Sequence, residues 1–389
     1  MMLADRMSRL GTETAFNVLA RAKELEAQGR DIVHLQIGEP DFDTPANIIA
    51  AGQRALGGGY THYTPAGGIM PLREVIAEYI SRTRGIEVEP QNVVVVPGGK
   101  PIIFFSIMAL IEPGDEVIMP NPSFPIYESM VACMGGTPVF VPLREASGFG
   151  FDLDVFADSL SARTKMVVLN SPSNPTGGVQ PKEQVQAIAR LLADYPDVTV
   201  LSDEIYSRML YDGDHYSIAA EPGMLERTII LDGFSKTYAM TGWRLGYGVM
   251  NAELATAVSQ LQINCTSCVN AATQMAGIEA LSGPQDSVDA MVAEFKVRRN
   301  QVVDGLNAIP GVSCVMPRGA FYAFPNVSQL PISEGELARR LLDEAGVAVL
   351  SGTAFGAYGK GYLRLSYANS QDNIRKALER MADFVGAYA

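Results

Sequence analysis

Leu231-Asp232-Gly233-Phe234-Ser235-Lys236-Thr237-Tyr238-Ala239-Met240-Thr241-Gly242-Trp243-Arg244-Leu245-Gly246 joins two strand-like runs of this 389-residue chain. The apolar, β-branched run Thr228 to Leu231 leads in, and Leu245 to Met250 leads out. Between them stand one lysine, small or hydroxyl-bearing neighbours, and an arginine eight residues further on. A lysine amine forms a Schiff base with a carbonyl and is the usual anchor of pyridoxal phosphate. The phosphate of such a group needs hydroxyls, backbone N–H groups and a guanidinium. Ser235 and Arg244 supply two of the three. A surface lysine following a strand looks the same locally, so the rest of the chain has to decide between them.

Composition narrows the choice. Hydrophobic residues make up 47% and charged residues 19%, a globular balance over a length that can bury a large core. Lys+Arg 30 against Asp+Glu 43 leaves −13, with no basic cluster, which argues against nucleic acid or an anionic membrane as partner. Residues 1–21 are broken by Asp5, Arg6, Arg9, Glu13 and Arg21, and no apolar stretch reaches signal-peptide or membrane-spanning length. A cytoplasmic protein is expected. Four cysteines suggest no disulfide framework, and Cys265-x-x-Cys268 lies in a polar-to-helical stretch with only three histidines in the chain to complete a metal site. No metal is expected.

The order of elements predicts an α/β fold. Helices are expected over 13–29, from Thr44-Pro45 as cap and first-turn proline to Leu56, over 71–82, and over 101–110. Strand-like runs at 32–37, 93–96, 116–119, 138–141, 165–169, 198–201, 228–231 and 245–249 alternate with helical patterns, notably 181–193. Short β-branched runs buried on both faces predict a mostly parallel sheet covered by helices. Beyond 250 the pattern shifts to helices near 252–262, 268–281 and 284–308. An α+β unit follows, with strands near 320–324, 347–350 and 362–366 and a closing helix from Gln371. The expected division is a large α/β domain over 45–285 and a smaller domain built from 1–44 and 286–389.

Four further segments carry chemistry. Val96-Pro97-Gly98-Gly99-Lys100-Pro101 is a strand end, a glycine pair and a helix opening, which suits a phosphate or an ordinary αβ turn. Asn170-Ser171-Pro172-Ser173-Asn174-Pro175-Thr176-Gly177 follows a strand and presents an amide from a proline-framed loop, or is simply a turn. Ser202-Asp203-Glu204-Ile205-Tyr206 puts acids at the C-terminal end of an apolar strand, where ligand crevices form. A carboxylate there keeps a pyridine nitrogen protonated, or else it is a solvated loop acid. Tyr362-Leu363-Arg364-Leu365-Ser366 sets an arginine in an alternating strand, for bidentate carboxylate recognition or for a structural partner.

Together these segments resemble the class I aminotransferases, the pyridoxal-phosphate-dependent fold type I group. The likeness rests on the spacing from Gly233-Phe234-Ser235-Lys236 to Arg244-Leu245-Gly246. Ordered landmarks extend it over nearly the whole chain: Gly38-Glu39-Pro40-Asp41-Phe42, Tyr63, Gly99-Lys100, Asn121 through Tyr127, Ser173 through Gly177, Asp203 through Tyr206, and Arg364-Leu365-Ser366. The prokaryotic aspartate aminotransferase branch is the most similar in look. The resemblance implies pyridoxal 5'-phosphate as cofactor, with Lys236 as Schiff-base lysine and proton shuttle, and Asp203 paired with the ring nitrogen. It further implies Tyr206 and Asn174 on the ring oxygen, Phe124 stacked on the ring, and the Gly99 and Lys100 backbone, Ser235 and Arg244 around the phosphate. Tyr63 would reach the phosphate of a neighbouring subunit, which implies a homodimer. Arg364, Asn174 and Gly38 would take the substrate α-carboxylate, and Lys100 the distal carboxylate of an aspartate- or glutamate-type donor. Two positions depart from the pattern: Gly233 stands where many relatives carry serine or threonine, and Phe124 where tryptophan or tyrosine is common.

The expected activity is transfer of an amino group from an amino acid to a 2-oxo acid by a ping-pong cycle. An aromatic or diaminopimelate-type transaminase and a C–S β-lyase share every cofactor residue and stay open. So does a non-catalytic binding protein of the same fold, against which Lys236, Asp203 and Arg364 speak.

Overall fold

The computed structural model describes residues 3–11 and 13–387. Its centre is an eight-stranded sheet, and Thr228–Gly233, the run feeding Lys236, is the third strand in it. The order across the sheet is Val93–Val96, Gly246–Val249, Thr228–Gly233, Thr199–Asp203, Thr164–Asn170, Glu116–Asn121, Thr137–Arg144 and Gly150–Phe151. Five of these strands run parallel, from Thr228–Gly233 through Thr137–Arg144. Gly246–Val249 is antiparallel to both its neighbours, and Gly150–Phe151 closes the far edge as a short antiparallel strand. The sheet is therefore mixed but mostly parallel, as the pattern predicts.

Period-2 alternation distributes each strand between two apolar layers. Ile229 and Leu231 join the layer that holds the helices Lys100–Leu110 and Ala252–Thr266. Ile230 joins the opposite layer, with Leu72, Ile76 and Ile80 of the helix Met70–Arg84 and Ala276 of the helix Ala271–Ser282. Such double-sided burial explains why these strands read as continuous apolar runs. The four valines of Val93–Val96 are at most 1% exposed although the strand is at the sheet edge. The loop before the helix Met70–Arg84 covers that edge: Val95 N–H donates to the Gly67 carbonyl at 3.0 Å.

A separate apolar cluster gathers the long helix Asp286–Asn307, the closing helix Gln371–Gly386 and two small sheets. Leu363–Ser366 lies between Tyr322–Ala323 and Leu350–Ser351, and Val33–His34 pairs in parallel with Val347–Ala348. The expected strand 32–37 is thus a two-residue strand. The chain beyond it bridges the small sheets, with Leu35 N–H bonded to Ala348 and the Leu35 carbonyl accepting from Ser366. The expected strands at 320–324 and 347–350 are likewise short, because each passes from one partner to the next.

Thr44 does not cap a helix. The helix is Ala46–Gly57, and the Thr44 hydroxyl instead donates to the Ala239 carbonyl at 2.7 Å and accepts from Trp243 Nε1 at 2.9 Å. The residue read as a local signal is spent on a long-range tie to the loop that carries Lys236.

Candidate active site

The C-terminal ends of the parallel strands open into a cavity of about 370 Å³. It lies between the large sheet and the strand that carries Arg364. Eleven of the twelve residues singled out from the sequence line it: Gly38, Gly99, Lys100, Phe124, Asn174, Asp203, Tyr206, Ser235, Lys236, Arg244 and Arg364. The twelfth, Tyr63, does not. It is 89% exposed, on a loop tied to the body of the chain through Thr64, whose N–H meets Cys268 Sγ and whose hydroxyl accepts from Gln274. A residue that serves another subunit has to be exposed in a single chain, so the position agrees with the sequence reading without testing it.

Lys236 leaves the sheet just after Gly233, and its Nζ donates to the Gly38 carbonyl at 2.6 Å. Burial lowers its pKa to about 8, and the cations Arg364 and Lys100 act in the same direction against Glu39 and Glu13. A Cβ on Gly38 would lie 2.1 Å from the Tyr322 hydroxyl, so any other residue would force the buried Tyr322 ring to move. The Tyr322 and Tyr206 hydroxyls meet at 2.7 Å, and burial raises both phenols.

Asp203 is 5% exposed, and among the described residues no cation pairs with it. Its carboxylate accepts from the Tyr127 hydroxyl at 2.5 Å and from the Ile205 N–H at 3.2 Å. Burial nevertheless raises its pKa to about 6. Arg364 is 3% exposed; its Nη1 donates to Asn174 Oδ1 at 3.4 Å, its Nη2 to the Gln36 carbonyl, and its Nε has no partner. No carboxylate pairs with Arg364 among the described residues, and burial lowers its pKa. An unsatisfied buried N–H on a charged group costs about 1–3 kcal/mol or more. A ligand carboxylate would remove that cost.

At the other end, Gly98 takes φ 86°, and a Cβ on it would meet Arg244 Nη2 at 2.0 Å. Arg244, itself at φ 56°, is braced by the carbonyls of Thr241 at 2.7 Å and Pro97 at 3.2 Å. That leaves a guanidinium, the Ser235 hydroxyl and the opening of the helix Lys100–Leu110 together at the cavity wall, a fit for a phosphate. The residues present suit an aromatic phosphate with a basic ring nitrogen and a carbonyl: a phosphate cradle, a buried carboxylate in want of a cation, and a lysine held at lowered pKa.

Lys100 faces the cavity as expected, 5.4 Å from the centre of the Phe124 ring, but it is not free. Its Nζ forms an ion pair with Glu13, immediately before the helix Thr14–Ala27. Sequence reading missed Glu13, Tyr127 and Tyr322. Tyr127 stood inside a quoted landmark run and could have been found there; Glu13 and Tyr322 come from remote segments and carry no local signal.

The fold and the lining of the cavity suit a pyridoxal-phosphate enzyme. Comparison with known proteins gives the family. Residues 30–381 match the model of "Aminotransferase class I and II". The chain is 39% identical to an aspartate aminotransferase of Bacillus sp. (strain YM-2) and 41% identical to an aspartate/prephenate aminotransferase of Thermus thermophilus, covering 99% of each chain in both cases. The crystal structure of an aspartate aminotransferase from Rhizobium meliloti superposes with a TM-score of 0.96 at 36% identity over the whole of both chains. The chain belongs to the class I and II aminotransferases. It is an aminotransferase, and its cofactor is pyridoxal 5'-phosphate.

The burial of Asp203 has a measurable cost. A folded pKa raised from 3.8 to about 6 means that the native state holds the proton more tightly than the unfolded chain. The associated stability is present at low pH and lost as pH rises through about 6, a difference of about 3 kcal/mol. Asp203→Asn should therefore stabilise the cofactor-free protein by about 1–3 kcal/mol at pH 7.5, with the gain fading as pH falls towards 4. Urea denaturation across that range checks the sign and the slope.

Proposed function

We propose that this aminotransferase takes its amino group from an aspartate- or glutamate-type donor and passes it to a 2-oxo acid in a ping-pong cycle. The observation that carries the reading is Arg364: a buried guanidinium with no counter-ion among the described residues, facing the same cavity as Lys236 and Asp203. Arg364 takes the substrate α-carboxylate, helped by the Asn174 amide and the Gly38 backbone. Lys236 removes and returns the α-proton at Nζ. With a pKa near 8, a fraction of its amine is neutral at physiological pH and able to accept. Asp203 holds the proton on the cofactor's ring nitrogen, and Tyr206 and Asn174 bond the ring oxygen. Phe124 stacks on the ring, while the backbone of Gly99 and Lys100 and the side chains of Ser235 and Arg244 hold the phosphate. When bound, pyridoxal phosphate supplies an electron sink for negative charge at the α-carbon.

Lys100 is the residue for a distal carboxylate, and Glu13 now has to be displaced for it to act. That contact favours a second reading as well. With Lys100 already neutralised by Glu13 and an aromatic ring beside it, an uncharged or aromatic donor would fit without displacing anything. The working unit is proposed to be a cytoplasmic homodimer in which Tyr63 reaches the phosphate site of a second copy. In support, no helix of the described residues is long and apolar enough to cross a membrane, and Leu56 at 57% and Ile263 at 56% are further exposed apolar side chains.

Lys236→Ala should abolish transamination while the protein still folds; turnover above about a hundredth of wild type would contradict its role, since a lost acid–base group costs about 10²–10⁴-fold. Lys100→Ala should lower kcat/KM for aspartate and glutamate by about 10²-fold, the scale of a broken desolvated ion pair, and affect alanine and phenylalanine far less. Equal losses for all four donors would leave the second reading in possession. Sedimentation at assay concentration should give a dimer, and an active monomer there would end that part of the proposal.

A further inference from the structure

Three carboxylates end two neighbouring strands, and alternation sends them to different faces of the sheet. Asp203 and Leu231, paired in register, face the cavity. Glu204 and Asp232, each one residue further on, face away from it, where the last turn of the helix Met70–Arg84 delivers one guanidinium. Arg84 Nε donates to Glu204 Oε2 at 2.8 Å, and Arg84 Nη2 donates to Asp232 Oδ2 and to the Ser207 hydroxyl, both at 2.8 Å. The side chains of Arg84, Glu204 and Asp232 are 3%, 1% and 4% exposed.

The two carboxylates of the cluster have further partners. The Ser202 and Ser217 hydroxyls donate to Glu204 Oε1 at 2.9 and 2.6 Å, and His215 Nε2 lies 2.9 Å from Glu204 Oε2. The Asp232 carboxylate also accepts from the Gly233 N–H at 2.7 Å, and the Tyr79 ring centre is 6.0 Å from the guanidinium. Burial works against the charge on Glu204, but His215 and Arg84 hold its carboxyl well below the usual range. The same two charges, Glu204 and Asp232, push Asp203 upward from behind, in addition to its own burial. The groups that face Asp203 directly are Tyr127, Ile205 N–H and, through the backbone, Asn170. None of them is a cation.

We propose that Arg84 is a positioning residue for the aminotransferase site. From the far side of the sheet it neutralises Glu204 and Asp232, so that the charge on Asp203 is sustained while the strand ends that launch Asp203 and Lys236 are pinned together. The role rests on the reading of Asp203 given above, and it extends the site by a layer that no cavity-lining residue reveals. Without Arg84, Asp232 loses its guanidinium and Glu204 keeps only His215 and two hydroxyls, and the added negative charge behind Asp203 favours its protonated form near neutral pH. The ring nitrogen would then lose its ionic partner even though every residue touching the cofactor is intact.

The test is a pH titration of ¹³Cγ-aspartate by NMR on the full chain stripped of cofactor, with the Asp203 signal assigned by its loss in Asp203→Asn. Arg84→Met should raise the Asp203 midpoint by about one pH unit, and Glu204→Gln, which removes a negative charge and leaves Arg84 in place, should lower it. Arg84→Lys keeps the charge and should bring the midpoint back to within about 0.3 of wild type. Circular dichroism reports whether each variant is folded. Should Arg84→Met not fold, the downward shift in Glu204→Gln decides alone. An Asp203 midpoint unchanged in the folded variants would overturn the proposal, whatever their activity. Failure of the Asp203 reading shows differently, as normal turnover of Asp203→Asn with cofactor bound.

Discussion

A carboxylate buried without a cation is an expense that a folded chain does not tolerate without cause, and the Asp203 side chain is such a group. The strand beneath it is held on both sides by parallel neighbours, so its end cannot swing out to water. Tyr127 offers one hydroxyl and the Ile205 backbone one N–H, enough to orient the carboxylate and too little to neutralise it. Arg364 has the complementary defect, a buried cation whose partners are an amide and a carbonyl. Lys236 completes the set with an amine whose burial disfavours its charged form. Each of the three is incomplete alone, and all line one cavity. On the proposed reading, an amino-acid substrate and the pyridoxal cofactor carry the charges that complete them.

The same sheet uses two solutions for acids at strand ends. On the far face Glu204 and Asp232 share Arg84 in a buried ion cluster, while on the near face Asp203 is left open. A buried ion cluster of this kind contributes little net stability compared with apolar packing, and breaking it from one side costs about 3–5 kcal/mol. What it offers is a fixed relation between two loops that must stay in register.

Much of this was legible beforehand. The parallel strands could be placed because burial on both faces leaves an apolar, β-branched run, and eleven cavity residues could be named because their ordered motifs resemble those of the class I aminotransferases. The small sheets were blurred, since their strands are two to four residues long and change partners within a few positions. Thr44 was misjudged because its hydroxyl answers to Ala239 and Trp243, about two hundred residues away, in preference to its own helix. Arg84 and Glu13 were invisible for the same reason. A charged residue at a helix end looks solvated until the fold shows that Arg84 is buried, or that Glu13 reaches across to Lys100.

The four valines at 93–96 form the edge of the large sheet, and the loop through Gly67 and Gly68 lies along that edge; Gly68 lies so close that a Cβ there would stand 2.5 Å from Val95 Cγ2. A short, uncharged, all-valine edge is a template for adding foreign strands. The loop that presents Tyr63 is therefore also a guard against aggregation. Changes to it made in pursuit of altered catalysis would put solubility at stake, and a chain that loses activity by way of this loop would be expected to precipitate as filament-like material rather than merely to fall idle.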